Sequence, residues 1–150
     1  MIDVAAVMNV LAAWWFNYDE GNFDVLRGLL TEDVHFTCRT DTDTVAWAEF
    51  ARADHRGRDT VMHWQTEHRR ASPYPLRHHG TNVHVVEQRG EEASFASYIH
   101  VTQVVNEMPA AIPGGIVTGV VREADDGVRI AKMDVVLDTM TSDVFSTVKA

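Results

Sequence analysis

The sequence predicts an α+β domain in which N-terminal helices cover one face of a curved, mostly antiparallel sheet. Three observations predict it. Apolar residues between Asp3 and Ala71 recur mainly at helical spacing, whereas from Leu76 to Asp138 the chain consists of long runs rich in β-branched and aromatic residues, separated by turn signals. Helices first and a strand meander afterwards is the order of an α+β plan, not of alternating βαβ units. A length of 150 residues suits one domain spanning 1–150, large enough to bury a core without disulfides.

The first helix runs from Asp3, placed as an N-cap, to Tyr18. Val4, Val7, Met8, Leu11, Ala12, Trp15 and Phe16 form one broad apolar face. Asp19 follows Trp15 by four and Phe16 by three, so it extends that face with a carboxylate. Gly21-Asn22 breaks the helix, and Phe23, Leu26, Leu29 and Leu30 make a second, short one. Thr31-Glu32-Asp33 is polar punctuation before a first strand, Val34 to Cys38. Arg39 to Gly57 reads as loop, with a short helix from Val45 to Ala53 presenting Trp47 and Phe50. The third long helix is Arg58 to Ala71, with Asp59 or Thr60 as N-cap and Val61, Trp64 and His68 along one face. Ser72-Pro73-Tyr74-Pro75 ends it. Strands follow at Leu76 to Glu87 and Ala93 to Asn106. After a Pro- and Gly-bearing loop from Glu107 to Gly114, a run from Gly115 to Glu123 turns at Asp126-Gly127 into Val128 to Asp138.

A net charge of −9 lacks the basic footprint that nucleic acid or an anionic membrane surface requires. The single Cys38 leaves no intrachain disulfide, and no apolar run approaches a spanning helix. A cytoplasmic location is expected on these signals. Arg52, Arg56, Arg58, Arg69, Arg70 and Arg77 concentrate positive charge on an acidic chain, either to receive an acidic partner or to form local ion pairs.

The chemistry concentrates in Leu76 to Val86, a strand with three histidines, a glycine and an asparagine. Side chains alternate along a strand, so His78, Gly80, Asn82 and His84 point one way and His79, Thr81, Val83 and Val85 the other. Adjacent His78 and His79 therefore cannot ligate one metal. On the third helix His63 and His68 project about 140° apart, unlike the pair of an H-E-x-x-H zinc site. No G-x-S-x-G elbow supports a serine nucleophile, and Cys38 has no flanking signature. What remains is a histidine general base oriented by a carboxylate, with His78 and Asp19 as the residues for those roles. The same residues also suit a hydrogen-bonded core histidine and a helix-terminal aspartate in water.

Tyr18-Asp19, then Phe23, Leu26, Leu30 and Asp33, then His78-x-Gly80-Thr81-Asn82 on a strand, form a pattern that resembles the SnoaL-like branch of the NTF2-like superfamily. The nearest likenesses are scytalone dehydratase and γ-hexachlorocyclohexane dehydrochlorinase. The resemblance covers most of the chain, including Gly114-Gly115 and the Asp126-Gly127 hairpin. It implies a cone of three helices on a strongly curved sheet with an internal pocket, and an aspartate–histidine dyad that falls on Asp19 and His78. It further implies a lyase acting by dehydratase-like elimination on an apolar cyclic small molecule, without cofactor or metal. Trp15, Phe16 and Tyr98 would then supply apolar wall, and Tyr18, Asn82 and His100 hydrogen-bond donors, with Gln103 competing with His100 for the second strand position. The dehydrochlorinase's cationic residue falls near Met133, with Lys132 on the other face, which argues against dehydrohalogenation. Isomerase, cyclase and epoxide hydrolase chemistry on the same fold are alternatives, as is a non-catalytic ligand-binding or association module. Apolar residues on both faces of the strands predict a homodimer or homotrimer formed through the face the helices leave bare.

Overall fold

A computed structural model describes residues 1–139, the side chains at 112 and 113 excepted. The elements are α1 (Val4–Asp19), α2 (Phe23–Gly28), β1 (Leu30–Thr40), α3 (Ala48–Ala51), β2 (Ala53–Arg56), α4 (Arg58–Ala71), β3 (Leu76–Arg89), β4 (Glu92–Val105), β5 (Met108–Ala124) and β6 (Gly127–Leu137). The six strands form one sheet in the order β2-β1-β6-β5-β4-β3. All neighbouring pairs are antiparallel except β1 with β6. Register shifts interrupt the ladders between β1 and β6, β3 and β4, β4 and β5, and β5 and β6, and such bulges bend and twist a sheet. The helices fill its concave face, so the expected α+β class holds.

Asp3 caps α1 by accepting from the Ala5 N–H. The buried stripe of α1 is Val7, Val10, Leu11, Trp14, Trp15, Tyr18 and Asp19, which rotates the predicted face and leaves Val4, Met8 and Phe16 in solvent. Apolar residues surround so much of this helix that periodicity alone does not define the stripe. Packing of Trp14 against Phe36 and Trp15 does.

Four local expectations are corrected. The second helix ends at Gly28, because Leu30 opens β1 and Leu29 accepts from Ile130 N–H, so β1 starts well before Val34. The short helix after Arg39 contracts to Ala48–Ala51, and Ala53–Arg56 becomes an edge strand on β1. The N-cap of α4 is Gly57, whose φ of 84° needs no side chain in a conformation that others resist, and not Asp59 or Thr60. The anticipated loop from Glu107 to Gly114 is mostly strand. A tight turn at Asn106-Glu107, both at positive φ, sends the chain back at once, so Val105 pairs with Met108.

The core joins the inner residues of the sheet, among them Phe95, Val117, Val121, Ile130 and Met133, to α1 and α4. The opposite face exposes Tyr98, Val104 and Ile116. No helix among the described residues is long and apolar enough to cross a membrane.

Candidate active site

At the open end of the cone is a cavity of about 360 Å³, at the lower end of the range usual for small-molecule sites. Its wall is mainly apolar and aromatic, with Trp15, Phe36, Trp47, Phe50, Trp64, Leu76, Ile99, Val101 and Val135, into which a few polar groups converge: Tyr18, Gln65, His68, His78 and Gln103.

Asp19, the last residue of α1, is 3% exposed. Both its oxygens serve one residue of β3. Oδ1 lies 2.6 Å from His78 Nδ1, and Oδ2 accepts the His78 backbone N–H at 2.7 Å. A carboxylate can only accept, so Nδ1 carries the proton and Nε2 is left with its lone pair. Trp15 stacks on the imidazole at 5.0 Å and 10°, and Tyr18 meets it edge-on at 5.3 Å. The ring is thus held on a face, an edge and one nitrogen. Gly80, two residues on and on the same face, makes room for this stack, since a Cβ there would stand 3.1 Å from Trp15 Cδ1. Arg69, itself buried, donates to the Asp19 carbonyl at 2.9 Å and secures the end of α1 from α4.

A second polar pair faces the same space. The Tyr18 hydroxyl lies 2.6 Å from His68 Nδ1, and His68 stacks on Trp64 at 4.5 Å with Phe50 on its other flank at 4.4 Å. Burial pushes the His68 imidazole down to about 4, aided by the nearby His78 and Arg69, and it pushes the Tyr18 phenol well above its ordinary value. Near neutrality the pair is therefore a neutral imidazole beside an intact phenol. Cys38 also borders the cavity, but burial raises its thiol to about 12, so it is not a nucleophile. Among the described residues no group of three His, Cys, Asp or Glu side chains is placed to hold a metal ion.

Of the residues the sequence singled out, Asp19, His78, Trp15 and Tyr18 meet at the cavity, and Phe16, Asn82, Tyr98 and His100 do not. Phe16 is 64% exposed, one helical step round from Trp15. Asn82 sits at a bulge with φ 56°, where the β3–β4 register shifts between Thr81 and His84. The extra residue reverses the alternation, so Val83 and Val85 join the core while Asn82 and His84 border a shallow groove on the outer face with Tyr98. Residues directly opposed across an antiparallel pair share a face. His78 faces Val101 and Leu76 faces Gln103, both inward; His79 faces His100, both outward. Gln103, not His100, enters the cavity. Sequence reasoning missed Gln65 and the role of His68. The signal for His68 was its place four residues after Trp64 on the buried face of α4. The arginines largely find partners within the chain: Arg52 with Asp43 and Glu49, Arg58 with Glu32, Arg70 with Glu67 and Arg77 with Glu20.

The sequence profile of the SnoaL-like domain family matches residues 1–134. Among solved structures, a protein of unknown function from Mycobacterium tuberculosis is similar at TM-score 0.74 and 21% identity, over 93% of this chain and 79% of that one. An NTF2-like protein with a cystatin-like fold from Novosphingobium aromaticivorans aligns at TM-score 0.73 and 15% identity, over 96% and 86% of the two chains. A candidate scytalone dehydratase from the same organism aligns at TM-score 0.70 and 16% identity, over 91% and 83%. At these identities the likeness is one of fold. None of the curated proteins matches the chain.

Proposed function

The chain belongs to the SnoaL-like domain family, and we propose that it is a small cofactor-independent lyase that eliminates water, or an equivalent leaving group, from an apolar cyclic molecule. The observation that carries this reading is the chelated Asp19–His78 pair at the wall of an apolar cavity. In it, His78 Nε2 takes a proton from the ring carbon next to the one that bears the leaving hydroxyl. The C–H electrons become the new C=C bond, the C–O bond breaks, and the departing oxygen takes the proton back from the imidazolium and leaves as water. The enzyme returns to its starting state. Asp19 stabilises the imidazolium while it exists, in surroundings where water does not screen the charge. Trp15 and Tyr18 keep the ring from rotating away from the substrate carbon. The aromatic wall supports a flat cyclic substrate, and the candidate dehydratases among the fold neighbours support an elimination. We further read the bare sheet face as the surface through which two or three copies associate, because it exposes Tyr98, Val104 and Ile116.

The test is a dehydration assay over a panel of hydroxylated cyclic ketones. His78→Ala should abolish turnover without loss of fold, and Asp19→Asn should cost about 10²-fold or more, because an amide does not stabilise the imidazolium. His79→Ala, on the outer face, should behave as wild type. Full activity in His78→Ala would refute the mechanism.

A further inference from the structure

His79 and His100 take no part in the cavity, yet the fold sets them side by side. They are directly opposed across the antiparallel pair of β3 and β4, so both imidazoles leave the sheet on its outer face, where both residues are exposed. Their ring centroids are 6.2 Å apart, with the planes 34° from each other. Once the width of the rings is subtracted, that spacing leaves a gap which one ion, bonded to a nitrogen of each ring at about 2.0–2.1 Å, fills.

Two details prepare the pair as ligands. His79 Nε2 lies 3.0 Å from Thr102 Oγ1, which stands on the same face. When that hydroxyl accepts the Nε2 hydrogen, Nδ1 is left with its lone pair, and a ligating histidine is commonly oriented in this way through its other nitrogen. Among the described residues His100 has no hydrogen-bond partner and neither imidazole is paired with a carboxylate, so neither gives up an ion pair to bind a metal. Arg77, the preceding outward residue of β3, is already paired with Glu20 at 3.1 Å.

Two ligands do not complete a zinc site, because zinc in closed protein sites takes four in a tetrahedron. Among the described residues no third His, Cys, Asp or Glu side chain of the same chain joins them. A second copy holds what is missing. Tyr98 comes two residues before His100 on β4, Val104 comes four after it, and Ile116 is opposite Tyr98; all three are exposed apolar side chains of this face. The histidines thus lie within the surface read above as associating. A twofold contact is self-complementary, so a pair beside the axis meets its own copy.

We propose that His79 and His100, together with the same two residues of a second copy, bind one zinc ion between two outer sheet faces. This rests on reading that face as the association surface, and it adds the ion that joins the copies. Imidazole ligands suit zinc, copper and nickel and do not suit magnesium or calcium, which take oxygen.

The experiment uses the full chain, stripped of metal with EDTA, dialysed, and titrated with zinc chloride at about pH 7.5. Calorimetry should give one zinc per two chains, and magnesium chloride should give no heat. An ion that binds only the dimer strengthens it by linkage, so light scattering over a dilution series should show association about ten-fold tighter when free zinc is at about ten times its dissociation constant, and EDTA should reverse the change. Cobalt in place of zinc should give the strong visible absorption of a tetrahedral site, a measurement that needs no variant. His79→Gln and His100→Gln should each abolish the zinc effect, whereas His84→Gln, on the same face but outside the pair, should bind zinc as the wild type does. One zinc per chain, or undiminished zinc binding in the folded double variant of His79 and His100, would overturn the site. Copies that associate equally in zinc and in EDTA remove the metal site and leave the association, and a chain that stays monomeric in both removes the association and the site with it.

Discussion

Holding His68 neutral has a thermodynamic consequence that can be measured apart from any activity. Burial lowers its folded-state pKa from 6.5 to about 4, so between those values the unfolded chain binds a proton that the folded chain refuses. Stability therefore rises with pH across this window and is lost as pH falls through it. Well above pH 6.5 neither state is protonated and the group contributes nothing. The gap, at about 1.36 kcal/mol per pH unit, amounts to about 3 kcal/mol lost by pH 4, a large share of the marginal stability of a small domain. The perturbation is His68→Phe, which keeps a flat ring between Trp64 and Phe50 but has nothing to titrate. At about pH 8 the variant should be less stable by about 1 kcal/mol, because the buried Tyr18 hydroxyl loses its hydrogen bond to His68. On acidification the difference should shrink and then change sign, the wild type losing about 3 kcal/mol more than the variant by pH 4. Urea titrations of both proteins at half-unit pH steps measure this directly, and carboxylate effects common to both cancel in the difference. Parallel curves from about pH 6.5 to pH 4 would refute the claim that His68 is buried as a neutral ring.

Gly80→Ala should leave the fold nearly intact, at a cost of about 1 kcal/mol, since the new methyl meets the Trp15 indole at 3.1 and 3.2 Å. Because Trp15 carries the His78 stack, turnover should fall far more than thermal stability; equal, small effects on both would separate Trp15 from the site. Tyr98→Glu, on the sheet face turned away from the cavity, should lower the mass measured by light scattering from a dimer or trimer to a monomer and leave the near-neutral fold unchanged by circular dichroism. A wild-type monomer at micromolar concentration would remove the association proposal altogether.

Several features of the site were legible in the chain because they are local. A carboxylate ending an apolar helical stripe at Asp19, and imidazole among β-branched residues at His78, are anomalies of residue type that no neighbour in space is needed to detect. The order of helices and strands was legible for the same reason, since the 3.6 and 2.0 periods belong to the backbone itself. The errors fall where a second segment decides. Phe16 and Trp14 are both apolar, and only packing against Phe36 chose Trp14 for the interior. The prolines after Glu107 suggested a loop, yet the two-residue turn at Asn106-Glu107 returns the chain straight into pairing with β4.

By itself the sequence determined the α+β plan and singled out Asp19 and His78 as the candidate pair. Tertiary structure decided which residues join them. One bulge at Asn82 reversed the alternation of β3 and sent Asn82 and His84 outward. The cross-strand register then turned His100 away with His79 and brought Gln103 in with Leu76. Alternation is a property of a single strand, but its phase relative to a cavity is set by bulges and by pairing with another strand, and a shift of one residue exchanges the two faces. The meeting of Tyr18 with His68 is likewise a matter of how α4 lies across α1, fifty residues apart in the chain and 2.6 Å apart in the fold.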